Sequence, residues 1–357
     1  MAFGMMVPAP VLGQAFCPDH PGNPILLTPG TATCLHDTLT GNVSFVLTNP
    51  TIIQWDSLNV PAGSTMNFDF QPGAYNPVVI NSAVGGGTNI IAGTMTANGH
   101  LVITKPSGDL RVSGSVIADS FTGVSLQPDD PGEILAGGPT SFGAGGGDGR
   151  FSVLDGGSIR TLVGDLVIGG INVQVRGTGV VRADSGAVRL VRATQFALAT
   201  TGAQRITEGG APGGLPVLVT GEVTGNTVEI KSTSDINNNG TITSGNGLGQ
   251  IFLRVGPDGT IFNEGSGTLN GVLQITGSFD SIGIEIGPKE NDAAVALGNS
   301  TSELPALEDP RGRRIEARHR IQVGTATGSV AVQREQQRGS SRKRGALAAN
   351  RATLNRK

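Results

Sequence analysis

Between Gly99 and Ile275 one short pattern of apolar and variable positions keeps returning: a Gly, a variable residue, Leu/Val/Ile, a variable residue, then Leu/Ile. It reads Gly99-His-Leu-Val-Ile103, Gly164-Asp-Leu-Val-Ile168, Gly186-Ala-Val-Arg-Leu190, Gly249-Gln-Ile-Phe-Leu253 and Gly271-Val-Leu-Gln-Ile275, and Asn226-Thr-Val-Glu-Ile230 repeats it with Asn for Gly. Apolar residues at every second position mark a strand with one buried face. The i, i+3, i+4 spacing of a helix is missing, Gly disfavours helix, and Val, Ile and Thr favour strands. Copies lie about 22 residues apart from Gly164 to Gly186 and from Gly249 to Gly271, and about 23 apart from Asn226 to Gly249. The longer gaps, Gly99 to Gly164 and Gly186 to Asn226, are roughly three and two such periods.

A unit of this length cannot bury its own apolar side, but stacked copies pair their backbones above and below and share one core. The pattern therefore predicts an all-β chain, a right-handed parallel β-helix with three short strands per coil, an N-terminal aromatic cap and a disordered C-terminal tail. The expected inward ladder is Leu101 and Ile103, Leu166 and Ile168, Val188 and Leu190, Val228 and Ile230, Ile251 and Leu253, Leu273 and Ile275. Asn237-Asn-Asn-Gly240 and Ser244-Gly-Asn-Gly247 suit the bends, because Gly and Asn tolerate positive φ. Roughly nine rungs at about 4.8 Å each would stand about 43 Å tall. A β-sandwich would also give frequent strands, but not one phrase held in phase.

Composition is compatible with a thin aliphatic column: 4% of residues are aromatic and 15% charged, and 56 of the 357 are Gly. The net charge of −3 conceals an asymmetry. Residues 311–357 hold roughly half the basic residues, with Glu316 and Glu335 as their acids, so the body is acidic. That argues against a specific nucleic-acid groove. No apolar run reaches the ~18–20 residues of a membrane helix. Met1 to Ala15 is apolar and small, and Leu12-Gly-Gln-Ala15 is like the end of an export signal, although no Lys or Arg precedes the apolar part.

Five segments follow: 1–36, a remnant export signal and Cys-bracketed piece; 37–126, the cap and first rungs; 127–150, a Gly/Pro/Asp loop; 151–287, the rungs; and 288–357, a linker and basic tail. Cys17-x-x-His20 and Cys34-x-His36 could supply four zinc ligands, although the spacing matches no common site. In an exported chain a Cys17–Cys34 disulfide would close a loop of roughly 17 residues and contribute about 3 kcal/mol. Trp55, Tyr75, Phe45, Phe68 and Phe70 are expected to plug the first rung, since the open end of a β-helix needs covering. Asp129, Asp130 and Asp148 could hold Ca²⁺ weakly, or simply be solvated turn residues. Thr207–Gly214 reads as a second loop, where one copy of the phrase is missing.

Catalytic chemistry is sparse. A polysaccharide-cleaving β-helix enzyme needs paired carboxylates, one to protonate the leaving oxygen and one to activate water. Asp165, Asp184, Glu222, Glu229 and Asp235 are scattered, and Asp129-Asp130 is the nearest pair. His100, at a variable site of its phrase, should face outward. No catalytic residue, metal or cofactor is expected.

Several phrases also resemble the secretion domain of the filamentous haemagglutinin family. Ile52-Ile-Gln-Trp55-Asp-Ser-Leu-Asn-Val60-Pro-Ala-Gly63 followed by Met66-Asn-Phe68-Asp-Phe70 is similar to its opening. Ile90-Ile-Ala-Gly93 through Ile103 is similar to its Ile-x-Gly-x-Ile/Leu-x-Ala-x-Gly-x-Val-x-Leu run. The family's Asn-Pro-Asn-Gly-Ile falls on Lys105-Pro-Ser-Gly-Asp109, where Pro106 and Gly108 match. Val112 to Ser120, Gly157-Ser-Ile-Arg160 and Ile236-Asn-Asn-Asn-Gly240-Thr-Ile242 resemble later rungs, so the likeness covers roughly residues 40–285.

The resemblance implies an adhesin-like exoprotein of two-partner secretion, taken by an outer-membrane barrel transporter to the extracellular or cell-surface side after Sec export. It implies Gln54, Trp55, Asn59, Pro106 and Gly108 as transporter-recognition residues and attachment to a cell-surface receptor or glycan of unknown identity. The alternatives are a polysaccharide-cleaving β-helix enzyme and a purely structural or passenger β-helix.

Overall fold

The structure, a computed structural model, describes residues 16–279 apart from 18, 29–30, 139, 144–148, 203–204, 210–214, 257–258, 264–265, 277, together with the strands Val295–Gly298, His319–Val323 and Val330–Arg334. The export-signal expectation for Met1–Ala15 and most of the expectation for the tail lie outside the described residues. Within the tail, His319–Val323 pairs antiparallel with Val330–Arg334.

The chain winds as a parallel β-helix with three strand columns. The first runs from Asn42–Leu47 through Thr65–Phe70, Ser158–Thr161 and Glu222–Gly225 to Thr268–Asn270. The second runs from Thr51–Trp55 through Val78–Ala83, Leu166–Gly170, Ala187–Arg192, Thr227–Ser232 and Gln250–Val255 to Val272–Thr276 and Val295–Gly298. The third runs from Asn89–Ile91 through Arg150–Val153 and Asn172–Val175 to Ser278–Phe279. Thr94–Thr104 and Ser115–Val124 are long enough to serve the first two columns in one pass.

The inward ladder occupies the second column. Leu101, Phe121, Leu166, Val188, Val228, Ile251 and Leu273 are in register from rung to rung. Ile103, Gly123, Ile168, Leu190, Ile230, Leu253 and Ile275 form the parallel row. All of them except Gly123 are buried in one continuous apolar cluster. Phe121 and Gly123 stand where the phrase would have two aliphatics. A Cβ at Gly123 would lie 2.3 Å from the ring of Phe151 and 2.6 Å from that of Phe121, so the two rings fill the space the missing side chain leaves.

The long gaps hold fewer coils than their lengths suggest. Between Leu101 and Leu166 there is one further second-column strand, and Val228 stacks directly on Val188. The surplus residues leave the helix. The expected loop 127–150 contributes Gln127–Pro128, the short helix Pro131–Leu135 and Thr140–Gly143; Gln195–Leu198, in no expected loop, and Ile206–Gly209, at the start of the second, join those two strands in a separate antiparallel sheet of four. The sheet roofs the outer face of the second column. Ile134, Phe142, Phe196, Leu198 and Ile206 pack on Val78, Ile80, Val102, Val124, Val167 and Val191 as a second apolar cluster. Gly169 makes room for the roof, since a Cβ there would sit 2.5 Å from the ring of Phe196.

The N-terminal end is closed by strands of opposite direction. Ala32–Asp37 pairs antiparallel with the first strand of column one, and Ile25–Leu26 pairs antiparallel with that of column two. Covering an edge in this way protects it from pairing with other chains. Beneath, Phe16, Phe45 and Phe68 stack at 5.7 and 5.0 Å, and Trp55 meets Phe45 edge-on at 5.8 Å. Phe70 is buried with them. Tyr75 is different: it is 79% exposed and plugs nothing, because it lies in the turn after the strand rather than on its inward face.

Candidate functional site

The corner between the second and third columns gathers most of the residues that the sequence singles out for recognition. Asn59 is exposed there, and its side-chain oxygen accepts from the backbone N–H of Ile90, one coil below, at 2.7 Å. Pro106 and Gly108 lie in the turn of the following coil and are half-buried. Gly108 has φ +85°, and a Cβ would lie 2.0 Å from the carbonyl oxygen of Gly87, so the turn admits no side chain. Gln54 is half-buried on the strand leading to this corner, paired with Ile25 of the cap. Trp55 is placed otherwise: it is fully buried, and its indole N–H donates to Asn81 at 3.0 Å inside the core. A partner of the folded chain cannot touch Trp55.

Both departures from the family motif have local physical roles. Lys105 is fully buried, and its ammonium donates to the carbonyls of Gly85 and Ser107, which ties two successive turns together. Burial holds the Lys105 ammonium below its usual range, against the opposing pull of Asp109. Asp109 bonds Arg111 at 2.8 Å and accepts from the N–H of Arg150 at 3.3 Å. Replacing Asn59 with Ala should therefore cost about 0.5–1.5 kcal/mol, the contribution of one hydrogen bond, read as a shift in urea midpoint. An unchanged midpoint would show that Asn59 holds nothing.

The roof is fastened by charge as well as by apolar packing. Glu229, fully buried, accepts from the Nε of Arg189 at 3.3 Å and from the backbone N–H groups of Arg205 and Ile206 at 2.9 and 3.2 Å. Those amides belong to the roof's outer edge, which the carboxylate closes. Asp165 bonds Arg189 at 2.6 Å and Arg205 at 2.7 Å. Lys231 donates to the carbonyl of Ile206 at 2.9 Å. In the sequence Asp165 and Glu229 are only two scattered acids. Aligning the phrases reveals more: Arg189 and Glu229 both occupy the fourth position, one rung apart, and His100 and Asp165 both occupy the second.

His100 points away from the core as expected, yet it lies under the roof, with its Nε2 2.9 Å from the Thr122 hydroxyl. Burial lowers its pKa to about 4, with Asp165 pulling the other way. His20, under the cap, is also lowered to about 4 by burial and by His36. For both, the unfolded chain binds the proton first, at about 6.5. Their contribution to stability is complete above that pH, falls as pH drops from 6.5 towards 4, and levels off below. Urea unfolding across this window should show the decline, and His100→Asn should flatten it in part; a midpoint independent of pH would contradict the assignment.

Other candidate chemistry resolves differently. Cys17 and Cys34 are joined as a disulfide, which leaves no thiolate for zinc. The ring nitrogen of His20 accepts from the N–H of Gly22. Asp130 caps the helix Pro131–Leu135 by accepting from Gly132 and Glu133, so its carboxylate serves the turn; Asp148 lies outside the described residues. Among the described residues no three His, Cys, Asp or Glu side chains converge to hold a metal, and no helix is long and apolar enough to cross a membrane.

No family model matches the sequence, and no match is found among curated proteins. Solved structures do match the fold. The HMW1 secretion domain from Haemophilus influenzae superposes with a TM-score of 0.55 and 16% identity, over 82% of this chain and 79% of that one. A filamentous hemagglutinin secretion domain superposes with a TM-score of 0.56 and 15% identity, over 76% of this chain and 99% of that one. The chain has the fold of these secretion domains, which agrees with the resemblance of its phrases.

Proposed function

We propose that this chain is the secretion domain of an adhesin-like exoprotein, recognised by an outer-membrane barrel transporter and delivered to the cell surface or medium. The observation that carries the reading is the coincidence of two likenesses. The phrases from Ile52 to Ser120 follow the order of the haemagglutinin secretion domain, and the capped β-helix they build superposes on two solved secretion domains over most of the chain. Recognition is assigned to the second-to-third column corner, which Asn59 of the first coil shares with Pro106 and Gly108 two coils on, near Gln54. The disulfide suits an oxidising compartment on the export route. Attachment to a surface receptor is the role expected after export.

The test is secretion from cells with and without the barrel transporter. Gln54→Ala and Asn59→Ala leave the core intact, so purified variants should fold while the amount in the medium falls. Equal release with and without the transporter would overturn the reading. Normal release of both variants would move the recognition surface away from this corner.

A further inference from the structure

Between Phe16 and Thr104 the sequence has no Lys or Arg, so the side chains that can turn cationic at this end of the helix are histidines. Two of them, His20 and His36, meet under the cap. Their ring centroids are 5.2 Å apart, and His20 stands edge-on to Trp55 at 5.3 Å. His20 is 7% exposed. Its Nδ1 accepts from the N–H of Gly22, while the Nδ1 of His36 is buried with no hydrogen-bond partner. The acids on the surrounding segments are Asp19, Asp37 and Asp56, all exposed. Asp37 accepts from Leu39 and Thr40, and Asp56 accepts from Asn23, so their bonds go elsewhere.

His20 belongs to a lid with few fastenings, Phe16–Leu27 without residue 18. The lid joins the second column by the pairing of Ile25 and Leu26 with Gln54 and Ile53. Three further bonds hold it there: the N–H of Asp56 donates to Gly22 at 3.1 Å, that of Leu27 to Ile52 at 3.0 Å, and the Asn23 amide to Asp56 at 2.9 Å. Ala32–Asp37, which carries His36, is instead paired along six residues with Asn42–Leu47. The Cys17–Cys34 disulfide ties the lid to that strand and not to the second column. A lid that lets go of the second column therefore stays tethered. It uncovers the side of Trp55 that His20 faces, and Trp55 is fully buried while the lid is down.

We propose that acid lifts this lid: protonation of the His20–His36 pair opens Phe16–Leu27 as a local unit and frees Gln54 and Trp55 while the coils stay folded. Two imidazolium rings this close repel each other, and a charge shut under the cap lacks the water that would solvate it. The closed lid lowers the pKa of His20 to about 4, by burial and then by His36, whereas the open lid restores about 6.5. The open form thus takes the proton first, and its share grows as pH drops below 6.5. By this linkage the ratio of open to closed lids should rise about twentyfold from pH 7 to pH 5. The device needs nothing from the export reading.

The experiment is native-state amide exchange of the full chain at pH 7 and pH 5, with rates corrected for the intrinsic effect of pH. The amides of Leu27 and Asp56 bond across the joint between lid and second column. They should lose protection about twentyfold between the two pH values, and at both they should be less protected than the amide of Leu190. His20→Gln should cut the loss to less than about threefold. His36→Gln should also reduce it, because the neighbouring positive charge is gone. Circular dichroism would verify that each variant keeps the fold, and should His20→Gln not fold, His36→Gln decides. Equal protection of Leu27, Asp56 and Leu190 overturns the proposal, since the lid then opens only with the whole chain. So does protection independent of pH, or an undiminished loss in the folded variants.

Discussion

Replacing Glu229 with Ala should destabilise the chain by about 3–5 kcal/mol, the loss typical of removing one partner of a buried ion pair. Glu229 is fully buried and Arg189 nearly so. Without the carboxylate, the Nε of Arg189 and the N–H groups of Arg205 and Ile206 lose their acceptor together. Buried donors left without partners carry the full desolvation penalty. The damage should centre on the roof, so amide exchange in Gln195–Leu198 and Ile206–Gly209 should accelerate more than in Thr51–Trp55. Glu229→Gln should fall in between, since it keeps an acceptor but not the charge. A Glu229→Leu and Arg189→Leu double variant should lose less than the sum of its singles, because a buried pair exchanged for apolar groups often costs little. A loss under about 1 kcal/mol for Glu229→Ala would show that apolar packing alone holds the roof.

Leu190→Ala should cost about 2–5 kcal/mol by leaving a cavity in the central column. Leu190 has Ile168 above it and Ile230 below, and it is fully buried. Coils contact mainly their neighbours, so exchange should quicken most in Leu166–Gly170 and Thr227–Ser232. Arg182→Ala is the matched control on the outside of the first column. Its ion pair with Asp184 is exposed, so it should cost at most about 1 kcal/mol. Urea unfolding of the two variants measures the contrast, and similar losses would mean that the inward and outward faces have been assigned wrongly.

The stacked phrases were legible because burial on a shared axis imposes the same alternation on every coil. One rung escaped, at Phe121-Thr-Gly-Val124, because aromatic rings replace the aliphatic pair there and break the phrase without breaking the ladder. The roof escaped for a related reason. Val102 and Val167 sit at the variable fourth position of their phrases and Val191 just past the end of its own, and strands apolar on both faces signal a covering layer. Gaps close to whole periods suggested further coils, but length alone does not distinguish a coil from a segment that leaves the helix. Of the recognition candidates, Asn59, Pro106 and Gly108 share a corner because successive turns stack; Trp55 belongs to the core because strand alternation turns it inward.

By itself the sequence determined the strand period, the inward ladder and the need for a cap, since these follow from local alternation repeated at a fixed interval. Only the tertiary structure decided that two distant surplus segments meet as one sheet, and that Asp165, Arg189, Arg205 and Glu229 meet beneath it. The reason is physical: an ejected segment carries no periodic constraint, so its partner is selected by the shape and charge of the surface it lands on. That surface exists only once the coils have stacked.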